Sequence, residues 1–415
     1  MRLLYDIGIR FYWLAAWIAS GWNLKARRWI RGRKDWLHAL QEKIDPDEPV
    51  IWFHCSSLGE FEQGRPLIEE ARRRFPDRKI LLSFFSPSGY EKRKHYEGAD
   101  HVMYLPLDTA RNARRLTGAL HLEMVLFIKY EFWYHFLHRL RVQQTPLYLA
   151  SGIFRPGQLF FRGYGRWYRK FLECFTHIFV QQETSRELLR GIGISRVTVA
   201  GDTRFDRVQQ VAATSYSHPL LEQLTAGRTT LVAGSTWERD EQLLAHAVQH
   251  LPDDFRWIIA PHELSTAHLD RLERRFPGSR KLSRLQEEEL PETRVIIVDT
   301  IGQLSYLYRF GTLAYVGGGF GKGIHNILEP AAYGLPVCFG PAYHKFQEAL
   351  ELIDLGGAFP VLNEKELLFT IHQQVDHEQL LKTTSDIAGN YVTDRVGATS
   401  TIMDLLCKNS TVNML

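Results

Sequence analysis

The stretch Tyr315–Gly334, YVGGGFGKGIHNILEPAAYG, decides the reading of this chain. An apolar run, Leu313–Val316, meets three consecutive glycines, and Gly321 and Gly323 follow. A helix is predicted to open at about His325 and to carry Glu329 in its first turns. Glycine lets a backbone approach a ligand closely. A helix N-terminus offers unpaired N–H groups and a positive dipole end, which suits a phosphate. Glu329 then stands where sugar hydroxyls can donate to it. The pattern reads as a nucleotide-sugar pocket in the carboxy-terminal half of an α/β protein. The plainer reading is a glycine-rich strand-to-helix turn with no ligand.

Outward from this loop, short apolar runs alternate with helical patterns. Val50–His54, Ile80–Phe85, Val102–Leu105, Val125–Ile128, Leu147–Ala150, Ile178–Val180 and Val197–Ala200 read as buried parallel strands. Phe61–Arg74, Phe132–Arg141 and Thr184–Arg190 are among the helices between them. The polar segment 209–228 breaks the rhythm and is predicted to be a linker. The alternation restarts with Thr230–Ala233, Trp257–Ala260, Val295–Val298, Leu313–Val316 and Pro336–Phe339. This predicts two doubly wound α/β domains with a crevice between them, where ligands bind beyond the carboxyl ends of strands. The expected boundaries are 1–35, an amino-terminal helix with a basic flank; 36–208, a first domain; 209–228; 229–390, a second domain; and 391–415, a helix and tail.

The chain has 415 residues, 45% of them hydrophobic and 24% charged, as expected of a globular protein with full cores. A net charge of +4, without an Arg/Lys stripe interleaved with aromatics, argues against a nucleic-acid partner. Cys55, Cys174, Cys338 and Cys407 form no CxxC pair, so a disulfide scaffold or zinc site is not expected. Leu3–Leu24 is apolar and aromatic, broken by Asp6 and Arg10, which share a helix face and could pair. Its uncharged run, Phe11–Leu24, is about 14 residues, short for a bilayer span. Lys25, Arg27, Arg28, Arg31, Arg33 and Lys34 follow. An aromatic helix with a basic flank is expected to contact an anionic membrane surface, lying flat or partly inserted. The alternative is a helix packed on the protein's own core.

Candidate chemistry collects at predicted strand ends. Glu60, in HCSSLGE at 54–60, is placed for a general base, or else it complements the helix dipole. Ser86, Ser88 and Gly89, in SFFSPSG, either grip a sugar or phosphate or cap a helix. Glu131, in KYEFWY, either binds substrate or pairs with a nearby cation. Ser235 and Thr236 suit a phosphate or an ordinary N-cap. Pro261 and His262 end another strand; a histidine there contacts a base or phosphate, or is structural. Asp299–Gly302 repeats the pattern of small and polar residues. Each signal is weak alone; together they mark strand ends of both sheets.

Several segments in order resemble the 3-deoxy-D-manno-octulosonic acid (Kdo) transferases of lipopolysaccharide synthesis. They are SSLGE at 56–60, SFFSPSG at 83–89, YLPLD at 104–108, YEFWY at 130–134, GDTRFD at 201–206, GST at 234–236, DTIGQL at 299–304 and GGGFGKGIHNILEPAAYGLPVCFGP at 317–341. The resemblance implies a GT-B glycosyltransferase, two Rossmann-like domains facing a central cleft, on the cytoplasmic face of the inner membrane. The donor would be CMP-Kdo and the acceptor a lipid A precursor, with inversion at the anomeric carbon and no metal or cofactor. It implies Glu60 as catalytic base. Gly321, Gly323, His325, Asn326 and Glu329 fall at the phosphate and ribose site, Ser235 and Thr236 at a donor-phosphate loop, and Arg204 at a position meeting a phosphate or carboxylate. Pro261 and His262 fall with the donor, and Ser86, Ser88, Gly89 and Glu131 with the acceptor. Trp237 stands where the family usually has His, Pro261-His262-Glu263 replaces Pro-Arg-His, Lys129 replaces an acidic residue, and Asp202 stands for Asn. A sugar-nucleotide 2-epimerase of the same architecture, or a non-catalytic nucleotide-sugar-binding protein at a membrane surface, are the competing readings.

Overall fold

The structure is a computed structural model and describes residues 1–412. It divides into two compact units, Met1–Arg207 with the segment from Val396 onward, and Val208–Arg395. The first unit is built on seven strands: β1 Pro49–Cys55, β2 Lys79–Phe84, β3 His101–Tyr104, β4 His121–Ile128, β5 Leu147–Gly152, β6 His177–Val180 and β7 Val197–Val199. They lie in the order β3-β2-β1-β4-β5-β6-β7, every pair parallel. Side chains alternate across a strand. Accordingly Val50 and Trp52 join one apolar cluster, and Ile51, Phe53 and Cys55 join the cluster on the opposite face. Both faces are covered, which is why these strands read as unbroken apolar runs.

The second unit repeats the plan with β8 Thr230–Thr236, β9 Arg256–Pro261, β10 Arg280–Lys281, β11 Val295–Ile297, β12 Leu313–Val316, β13 Val337–Phe339 and β14 Ala358–Pro360. Their order is β10-β11-β9-β8-β12-β13-β14, again all parallel. The twelve runs expected from the sequence are strands. The edge strands β10 and β14 were not expected: at two and three residues they are too short to show a period. In each sheet the order reverses at its first strand, between β1 and β4 and between β8 and β12. Those carboxyl ends are the switch points where such sheets place ligands.

Three segments differ from expectation. The segment 209–228 carries the last five residues of the helix Thr203–Ala213 and the whole helix Pro219–Thr225. Leu221 and Leu224 of the latter are buried against the second sheet, so this stretch is packed structure rather than a free linker. The helix Ala398–Val412 returns to the first unit, where Ile402, Met403 and Leu406 are buried with Phe61, Leu67 and Ile68. Asp206 caps it, accepting from the N–H of Gly397 (2.6 Å) and of Thr399 (2.7 Å). At the other end of the chain, the helix Arg2–Ala19 buries none of its residues. Asp6 pairs with His135 (2.5 Å) across the fold rather than along its own helix with Arg10, and Tyr5 donates to the buried Asp108 (2.5 Å). Arg33 is also turned inward: it donates to the carbonyls of Leu105 and Phe85 (2.8 Å each) and lies 3.8 Å from the Trp29 ring centroid. Burial lowers its guanidinium to about 9. It belongs to the fold rather than to an exposed basic flank. Among the described residues no helix is long and apolar enough to cross a membrane.

Candidate active site

In the first unit the site begins where β1 ends. Ser57 precedes the helix Leu58–Arg74, and Glu60 stands at its third position. The Glu60 carboxylate reaches back to the Ser57 N–H (3.0 Å) and to the Ser57 hydroxyl, both through Oε2. This is a capping box, which satisfies a helix-end donor that would otherwise lack a partner. Glu60 is half-buried, and the capping role and the predicted base belong to one carboxylate. The loop after β2 is tied to the same place: Ser86 N–H donates to the Ser56 carbonyl (2.7 Å). Ser86 caps the helix Pro87–Arg93 by accepting from Ser88 N–H (3.2 Å), and the two hydroxyls lie 3.0 Å apart. Gly89 is buried, and a Cβ there would stand 2.3 Å from Phe84 Cδ1 and 3.1 Å from the Ser57 carbonyl carbon. The missing side chain lets the two loops pack closely.

Glu131, after β4, is likewise turned inward, at 7% exposure. It accepts from Trp133 Nε1 (2.6 Å) and meets His54 Nε2 at 3.1 Å. His54 Nδ1 lies 2.8 Å from the Ser83 hydroxyl, which also takes the indole N–H of Trp52 (2.7 Å). The result is a buried chain Trp52–Ser83–His54–Glu131–Trp133 beneath the Glu60 loop. Glu131 thus holds two ring nitrogens, from His54 and Trp133. Arg204 belongs to the first unit, where its Nε donates to Asp202 Oδ2 (2.8 Å) and its backbone N–H to Oδ1 (2.9 Å).

In the second unit β8 and β12 end side by side. Ser235 adopts φ +54°, a conformation that costs a non-glycine residue of order 1 kcal/mol or more and is often retained for function. Lys129 after β4 (φ +63°) and Ser151 in β5 (φ +57°) are similarly strained at strand ends. The strained segment crosses the glycine loop so closely that a Cβ on Gly317 would lie 2.3 Å from the Ser235 carbonyl oxygen. Asp240 fastens the two loops. It is buried, and accepts from Trp237 N–H (2.9 Å), Gly318 N–H (2.9 Å) and the Tyr315 hydroxyl (2.8 Å). Burial pushes its carboxyl above the ordinary range, against the pull of those three donors. Sequence reasoning did not single it out; an acidic residue three positions into a helix after a strand was the available signal. Thr236 is fully buried and donates to Glu241 (3.3 Å), itself held by His268 (2.8 Å) and Arg275 (3.3 Å). Its hydroxyl is spent within the core.

The glycine loop keeps its predicted residues together, with one correction. The helix opens at Leu328, not His325, and runs one turn to Ala331. Asn326 explains the delay: its Oδ1 accepts from Leu328 N–H (3.3 Å) while its Nδ2 donates to Glu329 Oε1 (3.0 Å). Glu329 is half-buried beside Tyr308, whose phenol is pushed well above its usual range by burial and then by that carboxylate. Gly321 closes a turn on the Gly318 carbonyl (2.9 Å), and Gly323 takes φ +140° against the Phe346 ring. Pro261 ends β9, buried; His262 is exposed and donates its backbone N–H to the Thr236 carbonyl (3.0 Å). Its ring stacks on Trp237 (centroids 4.6 Å) and on His325 (4.5 Å).

Two seven-stranded parallel sheets, each with polar or glycine-rich loops at its switch point, define an α/β fold of GT-B type. Residues 29–207 match the family described as 3-Deoxy-D-manno-octulosonic-acid transferase (kdotransferase). The 3-deoxy-D-manno-octulosonic acid transferase of Aquifex aeolicus is 26% identical over 362 residues, 85% of this chain and 94% of its own length. That of Haemophilus influenzae is 24% identical over 388 residues, 87% of each. The crystal structure of UDP-GlcNAc 2-epimerase from Neisseria meningitidis bound to UDP-GlcNAc superposes with a TM-score of 0.60, covering 87% of this chain and 100% of that one at 14% identity; this is a likeness of fold. The chain is thus similar to the Kdo transferases over most of its length, and these relatives indicate a glycosyltransferase.

Proposed function

We propose that the chain transfers Kdo from CMP-Kdo to a phosphorylated glucosamine disaccharide of a lipid A precursor, inverting the anomeric carbon. One observation supports this above the rest: Glu60, Glu131, Ser235 and the loop 317–329, all in segments that resemble the Kdo transferases, lie at or just after the ends of β1, β4, β8 and β12, the strands on either side of each sheet's switch point. Glu60 of the first unit is the base, and the loop Gly317–Glu329 of the second holds the donor. The acceptor hydroxyl oxygen bonds to the anomeric carbon as the bond from that carbon to the donor phosphate breaks. The electron pair leaves with CMP, and the hydroxyl proton passes to Glu60. Fixed donors in the glycine loop meet the charge that grows on the leaving phosphate. Asn326 and Glu329 serve the ribose, and Ser86 and Ser88 the acceptor. No metal or cofactor is assigned a part.

Membrane contact belongs to the same proposal. On the amino-terminal helix Leu4 is 63% exposed, Phe11 70% and Trp17 54%, and Trp22 in the turn after it 76%. Lys25, Arg28, Arg31 and Lys34 follow, all exposed. Apolar and aromatic side chains above cations suit the cytoplasmic face of the inner membrane, where a lipid-borne acceptor resides.

The test is Glu60→Gln. Glutamine keeps the capping box but does not take a proton. With CMP-Kdo and a lipid A precursor, product formation read by mass is expected to fall about 10²–10⁴-fold, with CMP affinity and melting temperature unchanged. Undiminished transfer would remove Glu60 from the chemistry. Consumption of nucleotide sugar without acceptor would favour a 2-epimerase instead.

A further inference from the structure

Trp237 occupies the position where the Kdo transferases usually have histidine, and it does something specific here. Its indole Nε1 lies 3.1 Å from His325 Nε2. An indole N–H only donates, so Nε2 must be the bare, accepting nitrogen. A neutral imidazole carries one proton, and that proton is then on Nδ1. The backbone fixes the same orientation. Gly318 stands at φ +91°, and a Cβ on it would meet His325 Cδ2 at 3.0 Å and Nε2 at 3.4 Å. The Cδ2–Nε2 edge therefore lies against Gly318, and Nδ1 lies on the opposite edge. His262 stacks on both rings, 4.6 Å from Trp237 and 4.5 Å from His325, and so covers the bond that joins them. His325 is also held neutral: burial, with His262 beside it, lowers it to about 4.

We propose that Trp237 is a positioning residue that locks His325 in its Nδ1–H tautomer, making the glycine loop present a neutral N–H donor to an anionic phosphate. The tautomer rests on geometry within the second unit alone. Its consequence for binding rests on the donor-loop reading given above. Two measurements keep these apart. Long-range ¹H–¹⁵N correlation spectra of ¹⁵N-histidine-labelled full-length protein at pH 7, with His325 assigned by its loss in His325→Gln, report which ring nitrogen is protonated. The wild-type spectrum is expected to show Nδ1 protonated. In Trp237→Phe, which keeps an aromatic ring and removes the donor, the resonances are expected to move toward the Nε2–H form, and CMP affinity to fall about tenfold, the worth of one charge-assisted hydrogen bond.

A wild-type His325 that carries its proton on Nε2, or on both nitrogens, overturns the proposal, and this arm needs no variant to fold. An identical tautomer in folded Trp237→Phe overturns it too. A shifted tautomer with unchanged CMP affinity supports the lock and removes the phosphate role from this loop.

Discussion

Asp240 carries a carboxylate into a place that water does not reach, and three donors converge on it. Replacing it by asparagine keeps the shape but turns one acceptor into an N–H facing other N–H and O–H groups. Leaving buried donors unmatched costs about 1–3 kcal/mol each, so Asp240→Asn is expected to destabilise the protein by about 2–4 kcal/mol, read from urea unfolding at pH 7. A loss below about 1 kcal/mol would mean that the two loops are held without it. Asp240 also shows what was not legible at this scale. A carboxylate that caps a helix and one that also clasps a distant loop look alike in sequence, because the Gly318 N–H it holds is 78 residues away. The bond between Glu60 and Ser57, by contrast, spans only three residues, within reach of a local pattern, although Glu60 was expected only to complement the helix dipole or to act as a base. Thr236 and Glu131 were expected at strand ends and lie there. Which way their side chains turn, toward solvent or core, is settled by packing that spacing does not encode.

Among elements, strands buried on both faces announce themselves as apolar runs, and twelve of the fourteen were readable for that reason. The glycine loop was legible as a strand-to-helix turn, but its helix starts three residues late because Asn326 spends its side chain on Leu328 and Glu329. This leaves His325 in the loop rather than in a helical turn, where Trp237 and His262 enclose it. A pH dependence follows. His325 titrates at about 4 when folded against about 6.5 for an exposed histidine. Between those values the unfolded chain binds the extra proton, so stability present above pH 6.5 is lost as pH falls toward 4. The melting midpoint is therefore expected to drop from pH 7 to pH 5, and to drop less in His325→Gln, by thermal melts of both proteins at each pH. Equal drops would show that His325 does not couple to folding.

For the whole molecule, the amino-terminal helix was read correctly as aromatic and apolar, but its tether to the fold was not. Removing residues 1–24 would strip buried Asp108 of Tyr5 and His135 of Asp6, confusing membrane contact with folding. Surface substitutions are cleaner. Leu4→Ser, Phe11→Ser and Trp17→Ser together are expected to cut binding to phosphatidylglycerol-containing vesicles at least tenfold in a flotation assay, with the melting temperature held within a few degrees. Vesicle binding that survives the triple change would place the membrane contact elsewhere.

The helix Ala398–Val412 was legible as a helix, but its place was not, because its salt bridge to Arg74 spans 330 positions of sequence. It seals Phe61, Leu67 and Ile68 of the first unit. A ribosome delivers the chain from its amino terminus, and a domain completed early can ordinarily fold while the rest is still emerging. Here that order is broken. The half that is made first must wait, one apolar flank uncovered, until all of the second half has been synthesised. A nascent chain stalled anywhere before residue 398 is thus a natural client for a chaperone, whereas the later-made half has everything it needs once residue 395 has appeared.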